Sequence, residues 1–321
     1  MSALSDQTKS SLINLPPGDG RRVSIIGVPL SFGAGTAGVD LGPAAMRVAR
    51  LNQRLALLGY EVRDLGDMRL ERPTHIAAPQ DKAKYMREIS IACEELAAEV
   101  ERVMRAGEFP IVLGGDHSIA AGSIAGAASV MHEQQKQIGL IWFDAHADMN
   151  TPETSLSGHV HGMPLAALLG YGAPEMTHIA GFSPKLDPRY CAHIGARDLD
   201  PAERDLIREL GIRFFTMREI DERGMSVCID EAIEIAKGAT GGYYVTLDVD
   251  ALDPVVAPGS GTVVRGGLTY RESHLALEKI AEAGGMIAFE VVEINTALDI
   301  NNRTAELGVE LILSAMGKTI L

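Results

Sequence analysis

The sequence has few cysteines: three in 321 residues, namely Cys93, Cys191 and Cys228. They are far apart, odd in number and form no CxxC pair, which excludes a zinc ribbon and a disulfide framework. We therefore predict three buried, reduced thiols. Reduced thiols indicate a reducing compartment, and we expect the cytoplasm.

The sequence also lacks long apolar runs and an excess of basic residues. No apolar run approaches the ~20 residues that span a bilayer, which argues against a membrane protein. Lys and Arg number 29 against 43 Asp and Glu, a formal net charge of −14, and nucleic-acid binding favours a basic face. An acidic protein is compatible with a small cationic substrate.

The first 20 residues are polar and lack the apolar core of a signal peptide. We interpret residues 1–20 as a flexible leader and residues 21–321 as a single catalytic domain, because no low-complexity linker or internal repeat divides the chain. Apolar strand patterns at residues 23–28, 109–113, 138–143, 243–247 and 286–292 alternate with helical patterns, such as residues 43–58. This alternation predicts an α/β fold whose parallel sheet is covered on both faces.

Acidic residues and histidines follow several of the predicted strands. Three strands run directly into acids and histidines, and a fourth ends in Glu293. Ligands of open α/β sheets bind beyond the carboxyl ends of the strands, so these side chains can meet although they are distant in sequence. The residues that follow the three strands are His117; Asp144, His146 and Asp148; and Asp248 and Asp250.

Alternate residues of an extended chain point the same way, so each of these segments directs its carboxylates to one spot. Four carboxylates and two imidazoles grouped in this way require cations to neutralise them. Two cations can share the set if some carboxylates bridge them. An oxygen-rich set with some nitrogen suits Mn²⁺. Two such ions roughly 3.5–4 Å apart activate a shared water near neutral pH.

Three motifs carry a family resemblance: residues 114–118 (Gly-Gly-Asp-His-Ser), 144–150 (Asp-Ala-His-Ala-Asp-Met-Asn) and 248–254 (Asp-Val-Asp-Ala-Leu-Asp-Pro). In order and spacing they resemble the signatures of the ureohydrolase (arginase/agmatinase) family, over nearly the whole chain. The resemblance implies an arginase/deacetylase-like fold, a three-layer α/β/α sandwich with a mainly parallel eight-stranded sheet. It also implies two Mn²⁺ per subunit and a homotrimer or homohexamer.

The resemblance also implies how the metals are held. The first ion would be bound by His117, Asp144, Asp148 and Asp248. The second would be bound by His146, Asp144, Asp248 and Asp250, so that Asp144 and Asp248 bridge.

Within the family, residues 150–164 resemble arginases rather than agmatinases. Asn150 and Ser157 match residues that contact the α-carboxylate of the substrate. In the segment 197–203, Asp200 matches the acid that accepts from the α-ammonium, and Glu203 is a further predicted substrate-binding residue. Two more positions, Thr262 and Glu293, match residues near the guanidinium.

One position departs from the arginase pattern. Arginases usually have Asn two residues after the loop serine, whereas this chain has His159. A neutral imidazole can still donate a hydrogen bond to a carboxylate, but its larger ring can also read a different substrate tail. We therefore count His159 among the substrate-binding residues.

The resemblance implies hydrolysis of L-arginine to L-ornithine and urea, as in arginine metabolism and the urea cycle. Asp148 would move a proton from the attacking oxygen to the leaving amine. His161 matches the histidine that exchanges protons with solvent, and an imidazole suits this role because its pKa lies near neutrality. Three alternatives stay open: another guanidino compound (guanidinobutyrate, guanidinopropionate, homoarginine or agmatine), a non-catalytic metal- or guanidino-binding protein, and a deacetylase, which the full second ligand set argues against.

Overall fold

The computed structural model describes residue 18 and residues 20–319. The predicted leader, residues 1–20, therefore lies outside the described residues except for Gly18 and Gly20. The described strands, β1 to β8 in chain order, are Arg22–Val28, Glu61–Asp67, Phe109–Gly114, Gly139–Phe143, Cys191–Ala196, Arg213–Thr216, Tyr243–Asp248 and Met286–Val292.

The α-helices of the described residues alternate with these strands. In chain order, α1 to α11 are Gly42–Val48, Leu51–Leu57, Met86–Arg105, Ala120–Glu133, Pro164–Leu168, Pro174–Thr177, Pro201–Leu210, Met217–Arg223, Met225–Lys237, Tyr270–Ala283 and Arg303–Ala315. None of them is both long enough and apolar enough to cross a membrane.

All eight strands lie in one sheet, in the order β2-β1-β3-β8-β7-β4-β5-β6. Every neighbouring pair is parallel. The predicted three-layer α/β/α fold is confirmed, and the sheet is parallel throughout rather than only mainly so.

Two apolar clusters cover the two faces of the sheet. On one face, α1, α2 and α8 to α11 pack against alternate residues of the strands, including Ile25, Ile141 and Phe289. On the other face, α3 to α6 pack against the intervening residues, including Ile26 and Trp142. Because both faces are buried, the inner strands read as largely apolar runs, which is the pattern that predicted them, whereas the edge strand β2 is polar and partly exposed.

The prediction of one helix over residues 43–58 was wrong. The structure has two helices there, α1 and α2, separated at Arg50, whose φ is 64°. A left-handed residue ends a helix. The helical spacing of apolar residues continues across the break because Met46 of α1 and Leu51 and Leu55 of α2 are all buried in the same cluster.

The sheet order brings the polar strand ends together. The central strands β3, β8, β7, β4 and β5 are consecutive neighbours. Their carboxyl ends are followed by His117, Glu293, Asp250, Asp144 and Arg197, respectively. The candidate site therefore lies at the middle of the carboxyl edge of the sheet, as is usual for parallel α/β folds.

Candidate metal centre

His117 lies at the centre of the acidic cluster. Its Nδ1 atom is 3.1 Å from Oδ2 of Asp144, 3.0 Å from Oδ2 of Asp148 and 3.3 Å from Oδ2 of Asp248. Its other ring nitrogen, Nε2, is 2.9 Å from the hydroxyl of Thr246. One ring nitrogen thus contacts a hydroxyl, and the other faces three carboxylates.

His146 makes a second group with the acids next to it. Its Nδ1 atom is 3.3 Å from Oδ1 of Asp144 and 3.1 Å from Oδ2 of Asp250. Two groups in the described residues have ligand atoms close enough to hold a metal ion, His117–Asp144–Asp148 and Asp144–His146–Asp250. Asp144 belongs to both groups, through different oxygens.

The environment of these acids fits divalent cations. Burial raises the pKa of Asp148 to about 7, and the Asp144 carboxylate adds to the shift. Burial and the neighbouring Asp250 raise the pKa of Asp248 well above its ordinary value. Nδ1 of His117 and Oδ2 of Asp148 are buried without a well-directed hydrogen bond. Imidazole nitrogen and carboxylate oxygen are suitable donors for such ions, whose charge would relieve the repulsion.

The ligands are held by donors from the surrounding chain. Trp142 donates from Nε1 to Oδ2 of Asp144 at 3.1 Å, and its ring stacks on His117. Thr262 donates to Oδ2 of Asp250 at 2.9 Å. Such outer contacts fix the orientation of metal ligands.

Two of the site acids have an unusual backbone conformation. Asp148 has a φ of 53° and Glu293 a φ of 64°. Residues other than glycine seldom adopt this left-handed region, and such conformations concentrate at functional sites. The Glu293 amide donates to the carbonyl of Gly115 at 2.8 Å, which holds the end of β8 against the turn after β3.

Glu293 and His161 form a buried pair beside the candidate metal ligands. Oε1 of Glu293 accepts from the backbone N–H of His117 and lies 2.9 Å from Nδ1 of His161. Burial lowers the pKa of His161, but the Glu293 carboxylate, together with the charges of Asp116 and Asp148, raises it overall to about 9. An imidazolium at this position is a proton donor that the pair keeps inside the site.

A cavity of about 130 Å³ opens above this cluster. Its wall combines metal-cluster residues with residues of the two loops predicted to bind the substrate. The lining residues are His146, Asp148, Asn150, His161, Gly162, Asp198, Asp200, Glu203, Asp248 and Thr262.

Glu203 connects the two loops that line the cavity. Its carboxylate accepts from the backbone N–H of Met149 at 3.0 Å and from that of Asp200 at 2.8 Å. Burial raises the pKa of Glu203 to about 7. Asn150, in turn, donates from Nδ2 to Oδ2 of Asp200 at 3.0 Å.

Ser157 and His159 are on the same loop but do not line the cavity. Ser157 is exposed, and its hydroxyl accepts from the backbone N–H of His159 at 3.2 Å. The His159 ring lies 6.0 Å from that of His161, centroid to centroid. His159 is therefore a neighbour of the lining residue His161 and does not itself line the cavity.

Sequence reasoning missed four residues of the site: Gly162 and Asp198, which line the cavity, and Trp142 and Thr246, which support the candidate ligands. The last two had a usable signal. Each precedes a predicted ligand by two residues on a strand, so its side chain points to the same face.

This arrangement can be compared with known proteins. A profile described as the Arginase family matches residues 21–317. The chain belongs to the arginase family. Arginase from Bacillus caldovelox is 47% identical over 300 residues, which cover 93% of this chain and 99% of that protein. Arginase from Bacillus subtilis is 44% identical over 94% of this chain and 99% of that protein.

Solved arginases share the fold. Native arginase from Bacillus caldovelox superposes with a TM-score of 0.89 at 47% identity, covering 94% of this chain and 100% of that one. Arginase from Entamoeba histolytica, solved with L-ornithine, gives 0.85 at 27% identity, covering 93% of this chain and 99% of that one. These similarities confirm the predicted family and enzyme class, a hydrolase of the guanidino C–N bond.

Proposed function

We propose that the protein hydrolyses L-arginine to L-ornithine and urea, with two divalent cations bound at the carboxyl edge of the sheet. The observation that carries this proposal is the pair of ligand groups that share Asp144. Their members His146 and Asp148 line a cavity whose walls also hold His161 and Asp200. The relatives named arginase support the choice of substrate.

The predicted ligand sets are kept in the proposal. His117, Asp144, Asp148 and Asp248 would hold one ion. His146, Asp144, Asp248 and Asp250 would hold the other. Bound there, the ions supply an acidified water and positive charge next to the guanidinium carbon.

The remaining steps belong to the chain itself. Glu293 would orient the guanidinium through charge-assisted hydrogen bonds, with Thr262 close by. The Asp148 carboxylate would take the proton of the attacking water and pass it to the leaving amino group. His161, held at Nδ1 by Glu293, would exchange protons between the cavity and solvent. Water adds to carbon as the C–N bond to ornithine breaks, so the products are urea and ornithine.

The amino-acid end of the substrate would meet the two loops joined by Glu203. Asp200 and Asp198 offer carboxylates for the α-ammonium. Asn150, Ser157 and His159 belong to the loop assigned to the α-carboxylate. Asn150 already donates to Asp200, so we expect it to support binding of the α-carboxylate indirectly.

A substrate panel tests the proposal. Urea release would be measured from L-arginine, homoarginine, guanidinobutyrate, guanidinopropionate and agmatine after loading with Mn²⁺. We expect L-arginine to have the highest kcat/KM. A higher value for another compound would replace arginine as the substrate, and His159→Asn would then show whether His159 sets that choice. Metal binding without urea release from any compound would indicate a non-catalytic protein.

Several finer features belong to the same proposal. We infer Mn²⁺ as the metal and two ions per subunit from the donor set and the family resemblance. The resemblance also suggests a homotrimer or homohexamer, and the reduced cysteines suggest the cytoplasm. Breakdown of arginine is the corresponding metabolic role. Elemental analysis of the purified protein and light scattering check the metal, its stoichiometry and the oligomeric state.

A further inference from the structure

The segment of residues 81–84 lies against the loop assigned to the substrate carboxylate. The backbone N–H of Lys84 donates to the carbonyl of Gly158 at 2.9 Å, and its ammonium donates to the carbonyl of Ser157 at 2.7 Å. Lys82 donates to the carbonyl of Ser155 at 3.1 Å. Donors from one short segment thus hold three carbonyl groups of the loop.

Gly158 allows this close approach. Its φ is 70°, and a Cβ atom on it would lie 1.9 Å from the carbonyl oxygen of Asp81. Any larger residue would separate the two segments, since real Cβ atoms do not approach backbone so closely. The contact between residues 81–84 and the loop therefore requires glycine at position 158.

The same ammonium reaches the histidine that departs from the arginase pattern. Nζ of Lys84 is 3.3 Å from Nε2 of His159. An ammonium has donors only, so this contact requires the lone pair of Nε2 and leaves the proton on Nδ1. Among the described residues Nδ1 has no hydrogen-bond partner. Burial lowers the pKa of His159, and the positive charges of Lys84 and His161 lower it further, which keeps the ring neutral.

Gly35 provides the space for the ring. A Cβ atom there would lie 2.6 Å from Cε1 and 3.1 Å from Nδ1 of His159. The edge of the imidazole that carries Nδ1 therefore passes over the Gly35 backbone. Nε2 of the ring thus contacts Lys84, the Cε1–Nδ1 edge faces Gly35, and His161 is the neighbouring side chain that lines the cavity.

We propose that Lys84 is a specificity-determining residue that favours substrates with a carboxylate, by fixing His159 as an Nδ1–H donor and by adding a positive charge to the loop. This inference rests on the proposed function. The cavity lining carries Asp198 and Asp200 for an ammonium, and the Lys84–His159 pair adds the complementary charge and donor. The combination suits the zwitterionic end of an α-amino acid and disfavours agmatine, which has the same guanidinobutyl chain but no carboxylate.

The first test compares L-arginine with agmatine in Lys84→Met. Loss of a charged hydrogen-bonding group should lower kcat/KM for L-arginine roughly 10- to 100-fold, mostly through KM. Turnover of agmatine should stay the same or rise. Equal losses for both substrates, or an unchanged ratio, would overturn the inference.

Lys82→Met is the matched control. Lys82 anchors the loop at Ser155 without reaching His159. If anchoring alone mattered, Lys82→Met and Lys84→Met would shift both substrates alike. We expect the arginine-to-agmatine ratio to change only in Lys84→Met, and Lys84→Arg to keep most of it.

A double-mutant cycle tests the contact between the two side chains. In a His159→Asn background there is no imidazole for Lys84 to orient, so the effect of Lys84→Met on L-arginine should shrink severalfold. Equal effects in both backgrounds would contradict the role of His159.

Binding measurements separate this inference from the proposed function. Calorimetry with L-ornithine and with 1,4-diaminobutane requires no turnover. Lys84→Met should weaken binding of L-ornithine and leave that of the diamine unchanged, even if no urea is released. If Lys84→Met weakened binding of both compounds, or of neither, the proposed role of Lys84 would be wrong. If the expected binding pattern were found but no urea were released, only the proposed reaction would be wrong.

Discussion

The hydroxyl of Thr246 lies 2.9 Å from Nε2 of His117, while Nδ1 of the same ring faces the carboxylates of the metal cluster. When Nε2 carries the ring proton, its N–H donates to this hydroxyl and the lone pair of Nδ1 is left for a metal ion. A buried residue in the middle of β7 thus contacts a candidate ligand that follows β3 and favours the tautomer that can bind a metal ion.

Thr246→Val should weaken metal binding. Valine keeps the shape and the preference for a strand but cannot accept from Nε2, so the imidazole loses its fixed orientation. We expect an affinity for Mn²⁺ lower by about 10- to 100-fold. Competition with a calibrated chelator measures it. Thr246→Ser, which keeps the hydroxyl, should bind nearly as wild type, and a Val variant of unchanged affinity would contradict the assignment.

Asp148→Asn should nearly abolish turnover. Asparagine tolerates the positive φ of 53° at this position, so the backbone should persist while the proton acceptor is lost. We expect kcat to fall roughly 10²- to 10⁴-fold, the range for removal of a general base.

Steady-state urea release at saturating substrate measures the effect of Asp148→Asn, together with metal content. Asp205→Asn is the control, because Asp205 is an exposed acid on α7. An Asp148→Asn enzyme with full activity would remove Asp148 from the proton-transfer scheme.

Removal of metal should destabilise the protein. Burial and the repulsion of neighbouring carboxylates raise the pKa values of Asp148 and Asp248, and a bound cation would relieve both effects. An ion that binds only the folded state adds about 4 kcal/mol at a thousandfold excess over its Kd. Thermal unfolding after dialysis against EDTA, and again after Mn²⁺ addition, measures the difference. His117→Asn should show a much smaller rise with Mn²⁺, and equal rises would place the stabilising ion elsewhere.

The sequence allowed prediction of where the candidate ligands cluster because they follow strands. A strand end is a local feature, and parallel topology brings all such ends to one edge. Asp144, Asp248 and Glu293 could therefore be grouped from sequence patterns alone, and β3, β8, β7 and β4 are indeed neighbours. Which particular oxygen faces which nitrogen depends on the strand register and on rotamers, which no local pattern encodes.

Long-range contacts could not be predicted for the same reason. The contact between Lys84 and His159 joins side chains 75 positions apart, and no repeating sequence pattern around either residue predicts it. The break at Arg50 was missed because apolar spacing continues through it. Both depend on three-dimensional packing rather than on the type of residue at one position.

A buried histidine that the proposed reaction does not use should make stability depend on pH. His193 is fully buried on β5 and stacks on Phe214, with 4.2 Å between ring centroids. Neither ring nitrogen has a well-directed hydrogen bond in the described part of the chain. Burial lowers the pKa of His193 from 6.5 to about 4.

Because this pKa is depressed in the folded protein, the neutral ring supports folding above pH 6.5. As the pH falls from 6.5 towards 4, the unfolded chain gains a proton that the folded protein does not, and stability is lost. His193→Phe keeps the stacked ring and removes this titration. Between pH 7.5 and pH 5 the free energy of unfolding of the wild type should fall by about 2 kcal/mol more than that of the variant. Urea unfolding of both metal-free proteins at the two pH values measures the change, and a difference that is the same at both would show that His193 titrates normally in the folded state.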